Sequence, residues 1–257
     1  MNTNRLEADS SSTLSKVPEV VLGFWIIKIL ATTLGEIGGD AVTMSMNLGY
    51  LVGTVIFAAI FIAFVYAQIR APQFNKWLYW GTIIASTTVG TTLADFADRS
   101  LGIGYTGGTT LLLSLLLASL FLWYRKTGTI SVASVKDVRS EWFYWLTITF
   151  SQTLGTALGD WVADTQGMGY TGGMLLFGGS LAVIALLYFV TKVSRTGLFW
   201  AAFVLTRPLG AVVGDFLDKP LANGGLALSR YTGSGVLLIA IVALILLLPQ
   251  RAARQAH

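Results

Sequence analysis

A tryptophan recurs four times in this chain with a glycine ten residues later and an aspartate fifteen residues later: Trp25-Gly35-Asp40, Trp80-Gly90-Asp95, Trp145-Gly155-Asp160 and Trp200-Gly210-Asp215. A repeat of this kind limits the architecture before local propensity does, because one supersecondary unit has been copied and stacked. The Trp-to-Trp spacings of 55, 65 and 55 residues leave room for a helix hairpin in each copy. The ten extra residues fall around 125–141 and divide the chain into two halves of two repeats. Each aspartate sits in a segment apolar enough to span a bilayer, where a carboxylate costs roughly 2.5–3.5 kcal/mol on insertion scales. A cost met four times at one repeat position points to function.

The chain has 257 residues, 54% of them apolar and 12% charged, with a mean hydropathy of +0.69. Soluble domains carry about 25% charged residues, so this composition predicts an all-α membrane protein. Apolar runs fall at roughly 18–42, 49–69, 77–97, 105–124, 142–163, 170–191, 196–217 and 231–249. Each approaches the ~20 residues that a helix needs to cross a bilayer, giving eight expected spans. Basic residues flank these runs, twelve on the side of the termini and three on the other. This bias predicts both termini in the cytoplasm of a bacterial inner membrane. It also reads the net charge of +4 as topology rather than as nucleic-acid binding. Residues 1–17 and 250–257 are expected to be cytoplasmic tails, the first mobile, around one transmembrane domain at 18–249. Its repeats are expected at about 18–70, 75–126, 140–193 and 195–249. Two spans per repeat give all four copies one orientation, with a pseudo-symmetry axis along the membrane normal.

The second helix of each unit opens on its own signature: Leu48-Gly49-Tyr50, Gly104-Tyr105-Thr106-Gly107-Gly108, Gly169-Tyr170-Thr171-Gly172-Gly173 and Tyr231-Thr232-Gly233-Ser234-Gly235. Small residues there let helices approach closely. The Asp-to-Tyr distance is ten residues in three repeats and sixteen in the fourth, which predicts a longer outer loop in that repeat. With these features the chain resembles a family of uncharacterised bacterial membrane-anchored proteins built from four tandem two-helix transmembrane repeats. The resemblance covers essentially residues 18–249. It implies the architecture and little about activity.

At about 100° per residue, positions +7, +11, +15 and +18 after each Trp fall within about 60° of it, on one face of a helix. Position +7 holds Thr32, Thr87, Gln152 and Arg207, and position +11 holds Glu36, Thr91, Thr156 and Ala211. After the four aspartates at +15, position +18 adds Asp98 and Asp218, with Asp164 one residue further on in the third repeat. Four such stripes about a common axis would line a polar cavity. Its candidate ligands are Asp40, Asp95, Asp160, Asp215, Glu36, Asp98, Asp164 and Asp218. Against these eight acids stand Lys28, Arg207, Arg99 and Lys219. The +7 residues and Lys28 are expected to line or gate the cavity. Trp25, Trp80, Trp145 and Trp200 lie near the cytoplasmic boundary, as anchors or as gates. Two plainer readings stand beside these. The aspartates can cap the following helix, and Lys28 can snorkel to the inner interface. A Glu36–Arg207 ion pair would close the ring of repeats.

With no Cys, and a single His at the last position, thiolate, haem and histidine-zinc sites are excluded. Carboxylate and hydroxyl oxygens suit hard ions such as Mg²⁺, Ca²⁺, Mn²⁺, Na⁺ or H⁺. An aspartyl protease needs one special pair of acids rather than four equivalent ones, and the chain has no Walker-type loop. The expected function is therefore secondary transport of a small hard cation, proton-coupled, with no enzyme activity and no cofactor. A passive channel and a scaffold or sensor are the alternatives. The expected partners are the cation and the lipid bilayer, with a monomer possible and a homo-oligomer still open.

Overall fold

The computed structural model describes residues 14–253, so residues 1–13 and 254–257 of the two expected tails lie outside the described residues. Eight long helices carry the chain: α1 (Leu22–Asp40), α2 (Gly49–Arg70), α3 (Lys76–Asp95), α4 (Tyr105–Thr127), α5 (Val138–Asp160), α6 (Gly169–Val190), α7 (Arg195–Asp218) and α8 (Arg230–Leu247). Side chains of Asn75, Asp137, Ser194 and Ser229 accept from free N–H groups at the starts of α3, α5, α7 and α8. These caps satisfy donors that a helix end leaves unpaired.

In the first three repeats the odd helix ends at its aspartate and continues as one wide π turn: Ala41–Ser45, Phe96–Ser100 and Trp161–Thr165. Residues with left-handed backbone then reverse the chain, with Gly49, Gly104 and Gly169 at φ of 76°, 75° and 64° directly before the tyrosine. Glycine adopts that conformation without steric cost. The fourth repeat has no π turn. There α7 runs on to Asp218, and a 3-10 turn at Leu221–Asn223 fills the lengthened loop.

The odd helices form a closed ring, α1 against α3, α3 against α5, α5 against α7 and α7 back against α1. Each outer helix leans on the next repeat rather than on its own hairpin partner: α2 on α3, α4 on α5, α6 on α7 and α8 on α1. A single repeat therefore leaves its polar face and its partner's flank uncovered, and the four stabilise one another.

Glycine sets the ring's spacing. A methyl group on Gly90 would lie 2.9 Å from the Gln152 carbonyl carbon and 3.0 Å from the Thr153 nitrogen. Gly35 meets Thr87, Gly155 meets Arg207 and Gly210 meets Thr32 in the same way. One turn on, Gly39 meets Thr91, Gly159 meets Ala211 and Gly214 meets Glu36. Each odd helix thus presents a Gly-x-x-x-small ridge to the +7 and +11 residues of the next, in one parallel register. Close approach through small residues is how apolar-solvated helices gain packing contact.

Among the described residues, six helices are long and apolar enough to cross a membrane; α3 and α5 fall short of the expected eight. Their sequences carry the threonines, serines and glycines of the ring interior. Only 11–22% of the most apolar stretch of α2, α4, α6 and α8 is buried, against 61–67% in α1 and α7. Beneath the ring, the segments around Pro18 and Ala252 pair antiparallel, and Ser15 donates to the Val132 carbonyl at 2.6 Å. Ser15 and Val17 are buried here, although the sequence places them in a mobile tail.

Candidate cation-binding site

The interior of the ring is layered. At the inner end an aromatic doublet precedes and includes each repeat tryptophan: Phe24-Trp25, Tyr79-Trp80, Tyr144-Trp145 and Phe199-Trp200. Phe24 contacts Phe199 at a centroid distance of 6.2 Å, while Tyr79 and Tyr144 share a hydroxyl–hydroxyl bond of 2.7 Å. Trp80, Trp145 and Trp200 are buried, and Trp25 is half-buried. The Trp80 indole donates to Gln250 Oε1 at 3.0 Å and the Trp200 indole to the Ile130 carbonyl at 2.9 Å. Both partners belong to segments that cross beneath the ring. The tryptophans are thus packed into a plug, with two of them tied from below.

Lys28 lies above this plug, fully buried rather than snorkelling outward. Its ammonium sits 4.1 Å from the Phe203 ring centroid and donates to Thr206 Oγ1 at 3.3 Å. The +7 residues mostly serve the helix interfaces instead of lining a space. Thr32 donates to the carbonyls of Ile29 and Thr206, Thr87 packs against Gly35, and Gln152 donates to Ser86 Oγ at 3.4 Å. Arg207 is the exception. Its Nη2 donates to Glu36 Oε2 at 2.9 Å, to Thr91 Oγ1 at 2.6 Å and to Thr156 Oγ1. The guanidinium therefore fills the space between three of the four +11 residues, and Arg207 is fully buried. The Glu36–Arg207 pair expected from sequence is present.

The four +15 aspartates form the next layer outward, and all are buried. Two cations divide them. Arg99 pairs with Asp95 at 2.8 Å and with Asp160 at 3.2 Å. Lys219 pairs with Asp40 and, at 3.2 Å, with Asp215. Arg99 and Lys219 occupy the same position, +19, in repeats two and four, so each links its own aspartate to that of the following repeat. The helix-cap reading is not what these carboxylates show, since each is answered by a basic side chain. Asp218 binds Arg230, which also approaches Asp40 at 3.8 Å. Asp98 is half-buried and faces Gly108 on α4, while Asp164 is exposed. A cavity of about 570 Å³ opens over this layer, lined by Arg99, Asp164, Tyr170, Asp215, Lys219 and Arg230 among others.

Three carboxylates gather most closely: Asp40, Asp215 and Asp218 each offer an oxygen within 4.8 Å of the others. The Oδ1 atoms of Asp40 and Asp218 are buried without a hydrogen-bond partner. At this end of the ring the chain carries seven acids, of which Asp164 and Asp215 line the cavity, against Arg99, Lys219 and Arg230, a formal excess of four negative charges. Such a place attracts cations, and its oxygens are hard. The expected open polar cavity along the whole stripe is not seen. Arg207 closes it at mid-depth and the aromatic plug closes it below.

Three participants are not among the candidate residues above, although two of them carry a sequence signal. The aromatic before each tryptophan and the small residue four after each glycine both recur visibly. Arg230 comes from an outer helix by way of the longest loop, and nothing in its local sequence marks its role. No curated protein and no solved structure matches the chain. A family model described as a Repeat of Unknown Function (DUF347) matches it four times, at residues 23–74, 78–129, 143–194 and 198–251. These boundaries fall within a few residues of the repeats read from the tryptophan spacing, and the chain belongs to the DUF347 repeat family.

Proposed function

We propose that this protein is a multi-pass carrier of a small hard cation, such as Mn²⁺, Mg²⁺ or Ca²⁺, exchanged for protons across a bacterial inner membrane. The observation that carries this reading is Lys219, whose ammonium lies between Asp40 and Asp215 at the edge of an outer cavity. A chain cation held by two carboxylates marks a place where cation charge is stabilised. An incoming ion takes the oxygens of Asp40, Asp215 and Asp218 as Lys219 withdraws. The carboxylates take up protons when the ion leaves.

Six helices qualify as spans by length and apolarity. The other two, α3 and α5, keep the same register with their neighbours as α1 and α7 do, so a membrane crossed by α1 and α7 is crossed by all four ring helices. The ring axis then runs along the membrane normal, with both termini cytoplasmic and the acids toward the outer face. The filled centre favours a carrier over a passive channel. Because the ring closes within one chain, a monomer suffices.

Equilibrium Mn²⁺ binding to the purified protein tests this reading. Saturable binding is expected in the wild type and is lost in Asp40→Asn/Asp215→Asn, with the variant still monodisperse. Equal binding by both proteins, or none by the wild type, contradicts it.

A further inference from the structure

We infer that Glu36, Thr91 and Thr156 form a second, inner cation site, which Arg207 occupies as a tethered cation in this state. The inference rests on the carrier reading for its role in transport, but the site itself stands on separate residues. Three oxygens from three different helices converge on one nitrogen: Glu36 Oε2, Thr91 Oγ1 and Thr156 Oγ1 around Arg207 Nη2. Thr91 Oγ1 also lies 3.3 Å from Glu36 Oε2 and 3.2 Å from the carbonyls of Gly35 and Thr87, with one proton to donate among the three. Glu36, Thr91 and Thr156 are buried, so the oxygens are held away from solvent. The fourth repeat places Ala211 at the same position and thus gives no oxygen. It gives the cation instead, one turn earlier on the helix.

The guanidinium is incompletely satisfied where it sits. Arg207 Nε and Nη1 are buried with no hydrogen-bond partner, so the three oxygens hold only one of its nitrogens. A buried donor without a partner costs free energy, a cost that withdrawal to a place with partners would relieve. The backbone beside it is also distinct. At the next position the other repeats carry Thr33, Thr88 and Thr153, whose hydroxyls bond the carbonyl four residues back. The fourth carries Pro208 inside α7, which has neither that hydroxyl nor a backbone N–H. Proline is where helices bend. A bend there moves Arg207 relative to the Gly155 surface on which it packs. The site that it vacates has one carboxylate and two hydroxyls, a donor set for a compact hard cation or a planar guanidinium. In transport it receives the ion from the outer acids before the aromatic plug opens.

Chemical rescue tests this without any transport measurement. Arg207→Ala removes the arm and leaves the oxygens. Millimolar guanidinium should raise the melting temperature of purified Arg207→Ala saturably, whereas equimolar urea, its neutral isostere, should not. The wild type and Glu36→Gln/Arg207→Ala should show no such shift. Arg207→Thr, which installs the residue of the first two repeats, is the second variant and should respond in the same way. Recovery of either variant only when guanidinium is present during purification supports the site equally. No selective shift in either variant, or loss of both with and without guanidinium, overturns it. A missing shift with Mn²⁺ binding intact removes the inner site alone. A retained shift with no Mn²⁺ binding removes the outer reading alone.

Discussion

The four ring helices and the four outer helices invert the usual pattern of a folded protein. The outer helices are the more apolar and the more exposed, while the ring helices bury threonines, aspartates, two glutamates, an arginine and a lysine. In water such an arrangement would place the wrong surface outside. In a bilayer it is the economical one, since lipid solvates the apolar skin and the ring helices satisfy one another's polar groups. The ring is held by close glycine contacts and charge pairs, which are specific and fragile; the skin is held by contacts that lipid can partly replace.

That contrast can be broken at graded sites. The largest effect is expected at Glu36. Glu36→Gln leaves the Arg207 guanidinium buried without its carboxylate, a loss of about 3–5 kcal/mol by analogy with other buried pairs. Thermal melting of the detergent-solubilised protein reads it, with Leu175→Ala on the exposed face of α6 as the unaffected comparison. Exchanging the two charges, Glu36→Arg with Arg207→Glu, should recover part of the loss. A double variant no better than either single reversal would show that the pair does not hold the ring.

Gly90 comes next. Its added methyl would meet backbone of α5 that cannot move aside, so Gly90→Ala is expected to cost about 1–3 kcal/mol, as overpacking does. Gly178 on α6 has nothing within 4 Å of an added methyl, and Gly178→Ala should be neutral or slightly stabilising. Equal melting temperatures for the two variants would remove the distinction between ring and skin. At the inner end, Tyr79→Phe leaves the buried Tyr144 hydroxyl without its partner and should cost about 1 kcal/mol. Tyr79→Phe/Tyr144→Phe, which makes all four plug positions phenylalanine, should cost less than the single change in the same melting assay.

The smallest effect is expected at the exposed start of α5. Burial of the Asp137 carboxyl opposes its ionisation slightly, but hydrogen bonds from Ser140 and Arg139 outweigh this and hold it below the usual carboxylate range. Its stabilising contribution is therefore present above the unfolded aspartate range, near about pH 3.9, and is lost as pH falls through the lower folded value. Asp137→Asn keeps an oxygen that can accept the cap bonds without titrating, so the stability lost by the wild type between about pH 5 and pH 3 should be reduced in that variant. Parallel acid melting curves would mean that the cap contributes nothing at this helix end.

Repeat number, hairpin order, the position of each aspartate and the Glu36–Arg207 pair were all legible from spacing. Spacing works here because a helix turns a fixed angle per residue and four copies reduce chance. What one helix faces across an interface was less legible. On the helical stripe Thr32, Thr87 and Gln152 point toward a cavity, but each is taken up by the interface with a neighbouring helix. The Gly-x-x-x-small ridge that sets this register was visible, yet a ridge does not name its partner. Lys28 read equally well as a snorkelling residue, because the Phe203 ring that covers it comes from a helix 175 positions along the chain. Arg230 reaches the acids from an outer helix, a placement that depends on the fold of the longest loop.

Proton movement driven by a cation gradient, followed with a pH-sensitive dye inside proteoliposomes, reads cation–proton exchange itself. The comparison is between wild type and Asp40→Asn/Asp215→Asn, across Mn²⁺, Mg²⁺, Ca²⁺ and Na⁺. Cation-dependent proton flux is expected in the wild type for at least one of these ions, with its loss in a variant that still folds. Silence for every ion in the wild type, or undiminished flux in the variant, would contradict the carrier reading.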